Sequence, residues 1–177
     1  MLVSNIPLLF LALTATTQAF TVPPNTPDGV YVVSIDDNGK EVHSKLADPS
    51  SSITPQGQPL SVRARPMIKR AITTCGDNQE LNHGDTDAAN ADLDNQCGGA
   101  GGVFVPGGHD WYSKRGGTVA FFCNFGGDNR CDSNSRQRSS ATITSVCGLY
   151  KAGWTGPDAG YLTYGYDHVN SKFCGRH

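Results

Sequence analysis

The sequence predicts an α+β fold: a two-layer α/β sandwich in which two helices cover one face of an antiparallel sheet and three disulfides cross-link it. Three observations predict this class. They are an apolar strand bounded by glycines, two amphipathic helical stretches, and six cysteines that all follow residue 70. From residue 71 onward the predicted order is β-α-β-β-α-β, the split βαβ pattern of such sandwiches.

The segment Thr118–Phe125 is predicted to be the central strand of the sheet. Paired glycines bound it on both sides, at 116–117 and at 126–127. Both of its alternation classes are apolar, and a strand that is apolar on both faces is usually covered on both sides. Its face away from the helices is therefore expected to lie beneath a loop, the N-terminal hairpin or a partner.

Residues 1–19 are predicted to be a secretory signal peptide, which is removed from the mature protein. An apolar run over residues 6–13 leads to Thr17-Gln18-Ala19, and cleavage is expected after Ala19. The run is much shorter than the ~20 apolar residues of a membrane span. The first five residues contain no Lys or Arg, which is atypical of a signal peptide and leaves an N-terminal anchor as the alternative.

Residues 20–70 are predicted to be a prosegment that ends in the dibasic pair Lys69-Arg70. The composition changes abruptly at this pair, which favours cleavage by a processing protease over an uncut basic linker. Within the prosegment, two β-prone stretches flank Asp36-Asp37-Asn38-Gly39, and Asn-Gly in this position is a strong hairpin signal. An isolated hairpin is marginally stable in water, so we expect it to lean on the following domain until cleavage or to be structured only locally. Residues 50–66 are predicted to be a flexible Pro/Ser linker.

Residues 71–177 are the predicted mature, disulfide-stabilised domain. They carry eight Lys and Arg against eleven Asp and Glu, a formal net charge of −3 with His neutral. Nucleic-acid-binding domains are usually strongly basic, so no nucleic-acid partner is expected. No stretch after the leader is apolar enough for a stable membrane anchor, and no motif indicates a cofactor.

Six cysteines in a secreted domain of this size predict three disulfides. They are Cys75, Cys97, Cys123, Cys131, Cys147 and Cys174. A metal site would need close pairs such as C-x₂-C, held as thiolates, and the sequence contains no such pair. Fifteen pairings are formally possible. We predict one bridge, Cys75 with Cys147, because the end of the first strand and the end of the second helix lie at the same pole of the predicted topology.

The first strand and the first helix follow the processing site. The β-prone stretch 71–75 is the strand, and residues 87–97 are the helix, with Asp85 or Thr86 as its cap and Gly98 as its end. Its apolar face is predicted to hold Ala89, Leu93 and Cys97. The aspartates of this helix do not form a calcium loop, because the Gly and Glu that an EF-hand requires are absent.

The remaining elements are predicted from shorter patterns. Residues 103–105 and 111–113 indicate one or two strands. A second helix lies within 131–147, with Asp132 or Ser133 as its cap. Its inward stripe is predicted to be Ser139, Ile143, Val146, Cys147 and Tyr150. The last strand, 160–168, places four residues on one face: Leu162, Tyr164, Tyr166 and His168.

Residues 124–147, followed by Gly160-Tyr161-Leu162-Thr163-Tyr164 and the terminal Cys174, resemble the killer-toxin-like and necrosis-inducing effector proteins that fungi secrete. The leader and the Lys-Arg-terminated prosegment belong to the same resemblance. It covers most of residues 71–177 and includes no catalytic motif. Some killer-toxin-like proteins carry more cysteines, and their active basic residues match no positions here. The resemblance implies an extracellular protein that binds a protein or glycan on a host or competitor surface.

Aromatic residues in glycine-rich surroundings are the candidate binding residues. Such side chains are over-used at binding surfaces and are also common in ordinary cores, so core packing is the alternative for each. The candidates are Trp111, Tyr112, Trp154, Tyr161, Tyr164 and Tyr166. Of these, Tyr164 and Tyr166 would contact a ligand only if their side of the last strand faces outward.

A small secreted hydrolase, above all a ribonuclease, is the alternative function. The candidate acid–base groups are His83, His109, His168 and His177. Lys114 or Arg115 would then stabilise phosphate charge. No spacing supports such a site, a negatively charged domain repels RNA, and the Gly-x-Ser-x-Gly elbow of serine hydrolases is absent. The sequence therefore favours a protein that binds and does not catalyse.

Overall fold

The computed structural model describes residues 19–50, 71–157 and 161–175. The predicted signal peptide before Ala19, most of the predicted linker, the pair Lys69-Arg70, and His177 lie outside the described residues. Within them, nine strands and two helices follow one another: β1 (Gly29–Ile35), β2 (Glu41–Ala47), β3 (Ala71–Glu80), α1 (His83–Cys97), β4 (Val103–Val105), β5 (His109–Arg115), β6 (Thr118–Asn124), β7 (Asn129–Cys131), α2 (Ser133–Cys147), β8 (Lys151–Pro157) and β9 (Leu162–His168).

Seven strands form one antiparallel sheet in the order β2-β1-β5-β6-β9-β8-β3, and β4 pairs with β7 separately. Strand β6 is the fourth of the seven, and all its residues are buried. The α+β class, the two helices and the antiparallel sheet are thus confirmed. The element order is longer than the predicted β-α-β-β-α-β for three reasons. The predicted hairpin, now β1 and β2, joins the sheet, the stretch predicted as one or two strands forms both β4 and β5, and β7 and β8 are additional strands.

Strand β8 was not predicted from sequence, because glycines interrupt its β-prone residues and glycine is depleted in strands. The structure gives the reason for one of them. A Cβ at Gly153 would lie 2.9 Å from Ile143 Cγ2 of α2 and 3.0 Å from the Thr74 carbonyl oxygen of β3. Glycine therefore allows the helix and the neighbouring strand to approach β8 closely.

Helix α1 begins four residues earlier than predicted. Its cap is Asn82, whose side-chain oxygen accepts a hydrogen bond from the Asp85 amide at 2.9 Å, so the predicted caps Asp85 and Thr86 are wrong. The predicted apolar face is confirmed, since Ala89, Leu93 and Cys97 are all fully buried.

Helix α2 confirms the predicted cap Asp132, which accepts a hydrogen bond from the Ser135 amide at 2.7 Å. Ile143 is buried as predicted, but Val146 is 60% exposed, so its inward placement is wrong. Arg136 is buried instead, because its guanidinium group donates to the Asp94 carboxylate of α1 and so keeps its charge paired.

Apolar residues fill both faces of the sheet. The helix-face core contains residues of α1, α2 and the sheet, among them Leu93, Ile143 and Phe122. The outer core lies on the opposite face of β6, around Val119 and Phe121. It is closed by two segments that are distant in sequence, which contribute buried Phe20, Val22, Phe173 and Cys174. The outer side of β6 is thus covered, as its apolar pattern predicts.

The six cysteines form three disulfides, as predicted. Cys75 is joined to Cys147, the predicted pair, and the other bridges are Cys97–Cys131 and Cys123–Cys174. Each contributes roughly 2–4 kcal/mol to the stability of a small domain. Three disulfides fit an extracellular protein. No helix in the described part of the chain is long and apolar enough to cross a membrane.

Candidate functional site

A cavity of about 470 Å³ opens on the outer face of the sheet, beside the C-terminal residues. Its volume lies within the ~300–1,000 Å³ of small-ligand pockets. We call it the outer-face pocket. Its lining residues are Ala19, Phe121, Cys123, Phe125, Trp154, Tyr161, Thr163, Lys172, Phe173, Cys174 and Gly175.

The sheet supplies the floor of the outer-face pocket. Phe121 on β6 and Trp154 on β8 both stand opposite Gly165 on β9, from either side. A Cβ at Gly165 would lie 2.6 Å from Phe121 Cζ and 2.6 Å from Trp154 Cβ. Glycine at this position therefore lets the two aromatic side chains come together across the middle strand.

The C-terminal residues supply one wall. The Cys123–Cys174 disulfide fixes this segment to β6. Phe173 stacks on Phe121, with ring centroids 5.2 Å apart and an interplanar angle of 19°. The backbones of Phe173 and Phe20 exchange two N–H···O hydrogen bonds of 2.8 and 3.0 Å. The wall is thus held by a covalent bond, by ring packing and by the N-terminal residues.

Tyr161 and Phe125 form the rim. The Phe125 amide donates to the Tyr161 carbonyl oxygen at 2.8 Å. A Cβ at Gly126 would lie 2.7 Å from Tyr161 Cβ, so the tyrosine packs directly on the glycine backbone. The Tyr161 residue remains 67% exposed. An exposed ring at the mouth of an aromatic pocket is available to contact a ligand.

The outer-face pocket is mainly apolar. Its polar side-chain groups are the hydroxyls of Thr163 and Tyr161, the indole N–H of Trp154 and the ammonium group of Lys172. Lys172 is the one charged side chain of the lining. Rings and a few placed polar groups are typical of sites that bind an apolar body and fix its orientation. The lining suits an apolar or aromatic group that carries a single acceptor or negative charge.

The structure brings two of the six candidate binding residues, Trp154 and Tyr161, into this pocket. The other four lie in the two cores, each with at most 6% exposure: Trp111, Tyr112, Tyr164 and Tyr166. The side of β9 that bears Tyr164 and Tyr166 faces the helices. These two side chains therefore do not face outward, as contact with a ligand would require.

Buried tyrosine hydroxyls have partners in the protein. The Tyr164 hydroxyl accepts a hydrogen bond from the Asp132 amide at 3.1 Å, next to the cap of α2. Burial raises the pKa of Tyr164 to about 12. Burial also raises the pKa of Tyr112, whose hydroxyl lies 3.0 Å from His43 Nδ1. These rings stabilise the fold.

Several pocket residues were not among the candidates predicted from sequence, including Phe121, Phe125, Lys172 and Phe173. The apolar alternation of residues 118–125 does place Phe121 and Phe125 on one face. No local signal joins them to Lys172 and Phe173, because a disulfide and tertiary packing bring these residues together.

The candidate acid–base residues are distributed over the fold. His168 is paired with Thr118 at one end of β6. His109 lies two residues before Trp111, which is paired with Phe122 towards the other end of β6. Six residue steps of a strand separate these ends, roughly 20 Å. His83 stacks on Tyr150 at 3.8 Å and lies 2.6 Å from Glu80.

The two cations proposed for phosphate binding are in ion pairs. Lys114 Nζ lies 2.5 Å from Asp28 Oδ1, and Arg115 Nε lies 2.5 Å from Asp92 Oδ2. Burial by itself would raise the pKa of Asp92, but hydrogen bonds from Arg115 and Ser50 outweigh it, and the pKa of this carboxyl is lowered. Both cations are therefore engaged in contacts within the protein.

Among the described residues, no group of three or more His, Cys, Asp and Glu side chains is arranged to hold a metal ion. Comparison of the chain with family models, with curated proteins and with solved structures gives no match.

Proposed function

We propose that the chain is a secreted, proteolytically matured toxin-like or effector-like protein that acts by binding a target on a host or competitor surface. The outer-face pocket is the binding site in this proposal. Cleavage after Ala19 would remove that lining residue, but the aromatic lining remains, and it is the observation that carries the proposal. The helices and the sheet act as a two-layer scaffold, with the pocket on the sheet face opposite the helices. Three disulfides suit a scaffold that works outside the cell.

The ligand in this proposal is an apolar or aromatic group presented by an extracellular protein. A glycan needs many hydrogen-bonding partners, whereas few of the side chains that line the pocket carry a polar group. An acceptor or negative charge on the target would sit near the Lys172 ammonium group. The protein target is therefore favoured over the glycan target that the sequence left open.

Maturation is part of the proposal. The secreted form should be cleaved after Arg70, so that a new chain begins at Ala71. N-terminal sequencing of secreted protein should find Ala71, and replacement of Lys69 and Arg70 by Ala should remove this sequence. Recovery of wild-type protein without an Ala71 terminus would contradict the maturation step.

Paired variants test the binding site. Tyr161→Ala and Trp154→Ala should each weaken binding of labelled protein to responding plant tissue or fungal cells by about tenfold, the size expected for an aromatic anchor. Phe104→Ala is the matched control, because Phe104 is another exposed aromatic residue, at 51%, on β4 outside the pocket. Equal binding by all three variants would contradict the assignment of the site.

The ribonuclease alternative is tested with the same preparations. Purified protein should leave RNA intact, and the double variant His109→Ala/His168→Ala should retain biological activity. An inactive histidine variant, together with active Tyr161→Ala protein, would replace the binding proposal with the hydrolase.

A further inference from the structure

The N-terminal segment, residues 20–50, is built into the sheet of the domain that follows the processing site. We infer that cleavage after Arg70 does not release this segment, and that the mature protein is a non-covalent complex of two chains. The inference rests on the proposed maturation at Lys69-Arg70. Its first support is the position of β1, which lies between β2 and β5 in the seven-stranded sheet.

Backbone pairing attaches the segment along a whole strand. Residues 29–34 of β1 are paired with residues 109–114 of β5 in continuous antiparallel register. Loss of the segment would turn β5 from an internal strand into an edge with unpaired backbone groups. Such an edge is a template for aggregation unless it is covered.

Apolar packing attaches the segment to the outer core. Tyr31 stacks on Tyr112 with centroids 5.1 Å apart and an interplanar angle of 11°. Val33 is fully buried, and Phe20 and Val22 belong to the same core. Removal of the segment would uncover Tyr112 and its neighbours, which are shielded from water in this structure.

Polar contacts hold the segment at two places, just before β1 and at Ser50. At the start of β1, Asp28 accepts hydrogen bonds from Lys114 Nζ at 2.5 Å and from the Gly116 amide. At the other end, the Ser50 amide and hydroxyl donate to Asp92 Oδ1 at 3.0 and 2.5 Å, and Arg115 donates to the Ser50 carbonyl oxygen at 2.8 Å.

These anchors precede the processing site by many residues. A cut after Arg70 leaves Ser50 and everything before it unchanged. Residues 20–70 contain no cysteine, so no disulfide can join the two chains after the cut. Through its backbone pairing with Phe173, Phe20 also supports the wall of the outer-face pocket, so the retained chain would help to hold the binding site.

The first experiment tests whether the segment stays bound after a cut, independently of whether cells cut the chain at Arg70. A specific protease site is placed within residues 55–66, the full chain is purified, and the site is cut. Gel filtration at roughly 1 µM should give one peak that contains both chains. Denaturant without a reducing agent should then separate them into two masses. A folded domain that elutes without residues 20–50 would overturn the inference, whether or not cells cut at Arg70.

Matched valine variants test the contact surface. Val33→Asp places a charge in the outer core, whereas Val42→Asp places one on β2 at a side chain that is 38% exposed. After cutting, Val33→Asp protein should release the segment and Val42→Asp protein should retain it. Equal retention by the two variants would overturn the inference.

Asp28→Ala provides a milder variant if Val33→Asp protein does not fold before the cut. The uncut Asp28→Ala protein should elute as wild type, since its chain is continuous. After the cut, its segment should dissociate at least several-fold faster than the wild-type segment. An unchanged dissociation rate in this variant would contradict the role of the Asp28–Lys114 contact.

Discussion

The two faces of the central sheet are closed in different ways. On the helix face, α1 and α2 pack regularly on the strands, and the Cys75–Cys147 and Cys97–Cys131 bridges tie these helices to β3 and β7. On the outer face, residues 20–22 and 173–174 cover part of the sheet, and the Cys123–Cys174 bridge ties the second of these segments to β6. Neighbouring residues of β6 lie on the two faces: Phe122 is buried in the helix-face core, and Phe121 is buried in the outer core at the floor of the outer-face pocket. Regular packing on one face provides stability, and irregular cover on the other leaves a cavity.

The largest effect is expected from the helix-face core. Leu93→Ala should lower the free energy of unfolding by about 2–5 kcal/mol, because Leu93 is fully buried and its loss leaves a cavity. Leu149→Ala is the control, since Leu149 is 65% exposed, and should change the value by less than about 0.5 kcal/mol. Denaturant unfolding measures both. Similar losses in the two variants would contradict the description of this core.

A smaller effect is expected at the floor of the outer-face pocket. Gly165→Ala should lower the free energy of unfolding by about 1–3 kcal/mol, because its Cβ would also lie 2.7 Å from the Gly153 carbonyl oxygen and the strands must shift. Gly127→Ala is the control, as no atom lies within 4 Å of its added Cβ. If Gly165→Ala unfolds like wild type, the pocket floor is not as tightly packed as described.

The helix face was largely predictable from sequence, and the outer-face pocket was not. The spacing of Ala89, Leu93 and Cys97 is a local signal of a helix face, and the structure buries all three. The pocket depends on contacts between distant segments, such as Phe20 with Phe173, which no periodicity encodes. Tyr164 and Tyr166 share one side of a strand by sequence, but only the tertiary fold decides that this side faces the helices.

The attachment of the N-terminal segment should weaken in acid. Burial by itself would raise the pKa of Asp28, but the charge of Lys114 and hydrogen bonds from Lys114 and the Gly116 amide outweigh it, so this pKa is lowered. Hydrogen bonds from Arg115 and Ser50 lower the pKa of Asp92 in the same way. A lowered pKa means that the carboxylates stabilise the fold above the ordinary Asp pKa, 3.8. This stabilisation is lost as pH falls through the lowered values.

Asp167 has the opposite effect on stability as the pH falls, because burial raises its pKa and the fold favours its protonated form.

The predicted result for the cut protein is release of the segment as pH falls below about 3.8, the ordinary Asp pKa. Gel filtration across this pH range measures it. In Asp28→Asn protein the pH dependence should be shallower, and an unchanged profile would contradict the assigned role of Asp28.

The two tryptophans report on the two faces separately, since Trp154 lines the outer-face pocket and Trp111 lies in the helix-face core. Heteronuclear NMR resolves their indole N–H signals. Anilinonaphthalene sulfonate is a suitable ligand probe, because it joins an aromatic body to one negative charge. Addition of this probe to the native protein should shift the Trp154 signal until the site is saturated and should leave the Trp111 signal in place. In Lys172→Ala protein, a higher probe concentration should be needed for the same shift of the Trp154 signal. A shift of Trp111 alone, or no shift of either signal, would contradict the claim that the outer face is the binding face.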